Sequence, residues 1–208
     1  MLSIRDLSLE IAGAPILHGV SLDVEPGRVF GLVGESGSGK SMTALSVMRL
    51  LPAGARLQGR VSLGGAELTA LGERQMCAVR GARVAMIFQE PMTALNPLRT
   101  IGEQVAETLI VHGAASRGEA MRIAREKLDR VGLTADRFDL ARYPFELSGG
   151  QRQRVCIAMA IALRPAILIA DEPTTALDVT TQAQILALLE GLVRQEGMGL
   201  MLITHDLA

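Results

Sequence analysis

Apolar residues recur along the chain with two periods, and these divide it into strand-like and helix-like stretches. Residues 3–11 (SIRDLSLEI) partly alternate apolar with polar, and residues 13–15 read as a turn, so a strand closing on a tight turn is expected. Residues 29–33 (VFGLV) form a short apolar run followed at once by glycines. That is the pattern of a parallel strand buried on both faces. A helical pattern runs over 42–51 and stops before Pro52, since proline cannot continue the ladder of helix hydrogen bonds. Further strands are expected at 60–63 and 83–88.

The middle of the chain reads differently. Residues 101–111 suggest one helix and 117–131 a second. In the second, Ile123, Ala124, Leu128 and Val131 share a face, while Arg122, Arg125, Glu126 and Asp129 point elsewhere. Strands then return among the helices: helix 150–163, strand 166–170, helix 180–194, strand 200–204. This order predicts a single α/β domain over 1–208, with its core from about 1–90 and 150–208 and a helical subdomain inserted at about 91–149. Neither an internal repeat nor a low-complexity tract interrupts it.

Composition narrows the function classes. Of 208 residues, 49% are apolar and 21% charged, enough for a buried core, and the formal net charge is −1. A near-neutral balance lacks the basic footprint of a nucleic-acid binder, so no nucleic-acid partner is expected. Aromatics are 2% of the chain: Tyr143, Phe30, Phe88, Phe138 and Phe145, with no Trp. Stacking platforms for single strands are therefore scarce. Cys77 and Cys156 are too few for a disulfide scaffold; Cys156 lies in an apolar run and is expected to be a buried thiol, which suits a reducing compartment. The first residues lack the pattern of a signal peptide, and no apolar run approaches the ~18 residues of a membrane span. His18 and His112 have no chemical context and are expected at the surface.

Three segments carry chemistry. Gly34-Glu35-Ser36-Gly37-Ser38-Gly39-Lys40-Ser41 is a complete G-x-x-x-x-G-K-S phosphate loop (Walker A) between a strand and a helix. Its glycines let backbone N–H groups turn inward around phosphate oxygens, and the following helix aims its positive end at the same place. Lys40 can reach the β- and γ-phosphates and the Ser41 hydroxyl can ligate Mg²⁺. The second segment is an apolar strand ending in Asp171-Glu172, which sets two carboxylates at the edge where an α/β sheet holds its ligand. Asp171 would hold Mg²⁺, mostly through water, leaving Glu172 to act as general base on the attacking water. The third, Leu147-Ser148-Gly149-Gly150-Gln151, is a second anion-binding helix start with Ser148 as N-cap. Two phosphate-gripping helix starts with one lysine and one acid pair suggest that the second completes a site on another molecule.

The third segment resembles the signature motif of ATP-binding cassette (ABC) ATPases, and the rest of that family's motifs follow in order. Gln89 matches the Q-loop glutamine, Ala176-Leu177-Asp178 the D-loop, and His205, in Ile203-Thr204-His205-Asp206, the switch histidine. Phe88-Gln89-Glu90-Pro91-Met92-Thr93-Ala94-Leu95-Asn96-Pro97 and Asp171-Glu172-Pro173-Thr174-Thr175-Ala176-Leu177-Asp178 are similar to the subfamily serving peptide and nickel importers. The resemblance implies a RecA-like phosphate-loop NTPase core with an N-terminal antiparallel β region and an inserted helical subdomain. It implies ATP and Mg²⁺, and a head-to-tail pair of cassettes with each ATP between the phosphate loop of one and Ser148 to Gln151 of the other, Asp178 contributing. Gln89 would join Ser41 and Asp171 at the metal and couple the site to the helical insertion, which contacts a membrane permease; His205 would contact the γ-phosphate and orient the water or Glu172. A substrate-binding protein would be an indirect partner, and the place of work the cytoplasmic face of the inner membrane.

Two departures from the family pattern set further expectations. Where the family stacks adenine on an aromatic, this chain has Ile11, which predicts weaker adenine discrimination. The chain stops three residues after His205, which suggests a cassette incomplete at its C-terminus. A non-catalytic truncated cassette and a soluble ABC ATPase uncoupled from transport are the alternative readings. A GTPase is disfavoured because the only Asn, Asn96, is followed by Pro97 rather than by the lysine of a base-reading N-K-x-D motif. A small-molecule kinase would have no use for residues 147–151.

Overall fold

The broken alternation at the N-terminus has a physical origin. The computed structural model describes residues 1–205, the side chains of Pro91 and Met92 apart; Asp206 of the histidine string lies outside the described residues. In β1 (Leu2–Ile11) the buried side chains are Leu2, Ile4, Leu7 and Leu9, so the phase slips between Ile4 and Leu7. Asp6 sits there with φ 48°, and the register against both neighbouring strands shifts at the same place. That is a β-bulge, which re-aims the later side chains to the same face. Opposite it lies Gly59, φ 92°, where any Cβ would collide with the carbonyl oxygens of Asp6 and Arg5. Only glycine allows that approach.

β1 is flanked by β2 (Ala14–Val24) and β4 (Ala55–Leu63), and β5 (Ala66–Glu67) extends the sheet in the order β2-β1-β4-β5, all antiparallel. The turn expected at 13–15 falls earlier, on Ala12 (φ 50°) and Gly13 (φ 83°), and Pro15 already belongs to β2. β2 is an edge strand, where the missing proline N–H costs no ladder bond.

The second sheet is parallel, β3 (Val29–Val33), β8 (Gly199–Thr204), β7 (Ile167–Asp171) and β6 (Val84–Ile87) side by side in that order. All five residues of β7 are buried, as both faces of a central parallel strand require. Ile167, Ile169, Met201 and Ile203 face one core, shared with the antiparallel sheet and helix α1 (Lys40–Met48). Leu168, Ala170 and Leu200 face a second core on the other side. Strand β3 departs from expectation: among the described residues it pairs with β8 alone, and Val29 and Val33 are 47% and 40% exposed rather than covered on both faces.

Short α2 (Glu73–Val79) precedes β6, and between β6 and α6 (Gly149–Ala160) the described chain is helical wherever it is regular: α3 (Pro91–Ala94), α4 (Ile101–Val111), α5 (Arg117–Arg130) and a 3-10 turn, Pro144–Glu146. Thr100 caps α4 and Ser116 caps α5, each accepting the N–H of a glutamate three residues on. Ala124, Leu128 and Val131 are buried as their shared face requires, in the core that α6 and α7 (Val179–Glu196) also line. One charged residue of α5 corrects the expectation. Arg125 turns inward, donating to the carbonyls of Phe138 (2.7 Å) and Leu133, and so ties the loop after α5 back onto the helix.

Candidate functional site

The parallel sheet delivers its chemistry to one edge. β3 runs into the phosphate loop, β6 into Phe88 and Gln89, β7 ends at Asp171 followed by Glu172, and β8 is followed by His205. Because all four strands are parallel, these groups meet at their carboxyl ends, where open α/β sheets bind ligands.

Gly37 (φ 81°) and Gly39 (φ 89°) hold the phosphate loop in a backbone that side chains resist. Gly39 is doubly constrained, since a Cβ there would lie 2.6 Å from Leu17 Cδ2, so strand β2 packs directly on the loop. Gly39 is also the N-cap of α1, with no side-chain cap and no acidic residue in the first turn. The loop from Gly34 through Glu35, Ser36 and Ser38 thus surrounds a helix start whose N–H groups no side chain caps, the requirement for gripping an anion. Lys40, 8% exposed, donates from Nζ to Gly34 O and Glu35 O, both at 2.7 Å, and lies 3.5 Å from Ser38 Oγ. Its ammonium is therefore held across the loop mouth.

Ser41 Oγ donates to Asp171 Oδ1 at 3.1 Å, joining the two metal candidates across 130 positions of sequence. Burial pushes the Asp171 carboxyl up and the neighbouring Glu172 adds to this, against the Ser41 hydrogen bond and the Lys40 charge. A hydroxyl and a carboxylate are hard oxygen donors that fit Mg²⁺ completed by water and phosphate, rather than a cage made by protein alone. No cluster of three or more His, Cys, Asp or Glu placed to hold a metal ion occurs among the described residues. Gln89, expected beside them, is engaged elsewhere.

Glu172 is where the elements converge. Its own backbone is strained at φ 45° and pinned by its N–H to Ile203 O at 3.0 Å. Oε2 accepts from Gln89 Nε2 at 2.9 Å and from Thr175 Oγ1 at 3.0 Å, while His205 Nδ1 lies 3.2 Å from Oε1. Burial opposes ionisation, but the bonds from Thr175 and His205, with the charges of His205 and Lys40, outweigh it and hold Glu172 below the usual carboxylate range. A carboxylate 14% exposed, ionised and aimed by donors from three elements is equipped to orient and deprotonate water.

Residues 148–151 are organised around α6 itself. Ser148 Oγ accepts from Gln151 N at 3.3 Å and Gln151 Oε1 from Ser148 N at 2.9 Å, a reciprocal capping box. The glycines have a packing reason that sequence reasoning missed: a Cβ on Gly150 would lie 2.6 Å from Thr181 Cγ2, and one on Gly149 3.3 Å from Leu177 Cδ2. The signature helix thus rests on the start of α7. Asp178 caps that helix, accepting from Thr181 N at 3.0 Å and Thr181 Oγ1 at 2.6 Å. Thr175 is the other missed residue; the turn character of Pro173-Thr174-Thr175, three residues past the acid pair, was the available signal. His18 is exposed and His112 half-buried, and Cys156 is buried with its thiol pushed up to about 12.

A strand–loop–helix phosphate grip beside an acid pair on a parallel sheet defines a phosphate-loop NTPase fold. A sequence model of the family described as ABC transporter matches residues 17–175, and the chain belongs to that family. It is 53% identical over its whole length to the peptidoglycan transport ATP-binding protein YejF of Agrobacterium fabrum, of which it spans 39%. It is 51% identical to a probable peptide ABC transporter ATP-binding protein of Sinorhizobium fredii, spanning 64% of that protein. Over 92% of the chain it is 52% identical to the glutathione import ATP-binding protein GsiA of Salmonella typhimurium, and it spans 32% of that one. Among solved structures, the dimeric ABC transporter cassette MJ0796 superposes with a TM-score of 0.84 at 32% identity, covering 99% of this chain and 88% of the other. The same cassette bound to ADP and phosphate in a post-hydrolysis state matches equally well.

Proposed function

We propose that this chain binds and hydrolyses Mg-ATP as the energy-coupling cassette of an importer for peptides, nickel or a related small solute. The observation that carries the reading is the meeting of Lys40, Ser41, Asp171, Gln89, Glu172 and His205 at one sheet edge, with both oxygens of Glu172 held. Lys40 and the α1 N-terminus bind the phosphates. Ser41 and Asp171 would hold Mg²⁺, which when bound supplies charge neutralisation at the β- and γ-phosphates. Glu172 takes a proton from the attacking water, and His205, which rests on its other oxygen in the absence of nucleotide, turns to the γ-phosphate.

The packing of Gly149 and Gly150 on Leu177 and Thr181, rather than on the chain's own phosphate loop, supports a site completed by a second cassette. Pairing of cassettes in the MJ0796 structure supports the same arrangement. An apolar groove of about 390 Å³, lined by Met48, Leu50, Met86, Phe88, Ala94 and Met159, lies between the core and the insertion, and its wall includes Phe88, the residue before Gln89. It suits a short permease helix, and its position lets permease movement reach Gln89. No helix among the described residues is long and apolar enough to cross a membrane, so the permease would supply the attachment at the cytoplasmic face. The names of the relatives favour peptide-like solutes. The test is phosphate release from Mg-ATP by the complex of this chain with its partner cassette and permease. Turnover stimulated by solute-loaded binding protein is expected; nucleotide binding without turnover would establish the non-catalytic reading instead.

A further inference from the structure

Among the described residues Glu172 has three side-chain partners, and they differ in what else they must do. Gln89 lies at the end of β6, leading into the helical insertion, and His205 follows β8 and is 55% exposed. Both are assigned above to nucleotide or metal contacts, so each must turn from Glu172 when ATP arrives. Thr175 has no such duty. It sits on the same turn as Glu172, its N–H bonded to Glu172 O at 3.2 Å, and that turn places its hydroxyl 3.0 Å from Oε2. Glu172 itself is in left-handed backbone, where an L-residue stays only if its surroundings hold it. The backbone is held by Ile203, and among the described residues Thr175 is the carboxylate's side-chain partner from within its own turn.

We infer that Thr175 is a positioning residue for the hydrolytic water: its hydroxyl fixes the Glu172 carboxylate through the step in which Gln89 and His205 are drawn to the nucleotide. This rests on the reading of Glu172 as general base. Removing the hydroxyl leaves the base loosely aimed without touching any phosphate contact, so the loss falls on the chemical step and not on binding.

The test compares Thr175→Val, nearly isosteric but without the hydroxyl, with Thr175→Ser, which keeps it. ATP hydrolysis by the assembled importer complex and affinity for a fluorescent ATP analogue are both measured. Thr175→Val is expected to lower kcat by about 5- to 50-fold, the order associated with losing one donor to a catalytic carboxylate. KM and analogue affinity should stay within about twofold, and Thr175→Ser should recover most of the rate. Should Thr175→Val lower the unfolding midpoint, Thr175→Ala is expected to show the same split between kcat and KM. Equal losses in the Ser and Val variants, or matched losses of kcat and affinity, would mean a structural role and overturn the proposal. Glu172→Gln separates the two layers: if it abolishes turnover while Thr175→Val does nothing, the proposal fails alone. If turnover survives Glu172→Gln, the reading beneath the proposal fails.

Discussion

Gln89 Nε2 donates to Glu172 Oε2 at 2.9 Å, across 83 positions of sequence. The amide belongs to the chain entering the helical insertion, so the carboxylate proposed as the base is tied to whatever moves that insertion. The contact also has a sign: it accepts a neutral donor and rejects a second negative charge. Gln89→Ala removes an amide that holds Glu172 before ATP arrives and is proposed to reach the metal afterwards, and it is expected to lower turnover by roughly tenfold. Gln89→Glu sets two carboxylates in contact, which disfavours ionisation of one of them. It should be the worse variant by at least about another factor of ten in steady-state phosphate release.

Gly150 tests the packing of the signature helix. Alanine there gains up to about 1 kcal/mol of helix propensity over glycine, but its Cβ would overlap Thr181 Cγ2. Overpacking costs about 1–3 kcal/mol, so Gly150→Ala should be destabilising on balance, at roughly 2–4 °C of Tm per kcal/mol. Thr181→Ser deletes the obstructing methyl and keeps the hydroxyl bonded to Asp178. On that background Gly150→Ala should be neutral or stabilising in a thermal melt.

The two cysteines report on folding without mutation. Cys156 is buried with its thiol raised to about 12, whereas Cys77 is exposed. A thiol reagent near pH 8 should modify Cys77 in the native chain far faster than Cys156, which is 8% exposed in the wall of the apolar groove, and denaturant should close that gap. Rapid modification of both in the native state would contradict the packing of α6 against the second core.

The cap of α7 carries a pH dependence. The Thr181 hydroxyl and N–H hold the Asp178 carboxyl below its ordinary value. A depressed carboxyl stabilises the fold above the unfolded pKa, near 3.9, and that contribution fades as pH falls through the folded value. Asp178→Asn should therefore flatten the acid side of a stability-against-pH curve while leaving it little changed in slope above about pH 5.

Ile11 is the residue proposed to stand where an adenine would stack. It ends β1, and the hairpin it begins packs Leu17 onto Gly39 of the phosphate loop. An aromatic there would add base stacking worth ~1–3 kcal/mol. Ile11→Tyr is expected to tighten ATP binding several-fold and to raise ATP-over-GTP preference in a competition assay. Unchanged values would exclude this position as the adenine contact.

The chemistry was legible in the sequence wherever a loop's conformation depends on residue identity. Gly37, Gly39 and Lys40 admit few alternatives, and β7 and β8 are apolar runs whose ends could be read to within a residue or so. The Asp6 bulge obscured β1 by switching its phase, and β2 escaped because only Leu17 and Val24 of its eleven residues are buried. Helix α2 buries Met76 alone, too little to leave a periodic signal. The pairing of Gln89 with Glu172 and the fit of Gly150 against Thr181 depend on residues that only the folded sheet brings together.

The most direct test of the account is single-turnover phosphate release from Mg-ATP, compared between the wild-type chain and Glu172→Gln in the assembled complex, with bound nucleotide measured in parallel. The account predicts that the variant binds and retains ATP while phosphate release falls by at least about a hundredfold, since the base but no phosphate contact is lost. Phosphate release from Glu172→Gln at close to the wild-type rate would contradict it.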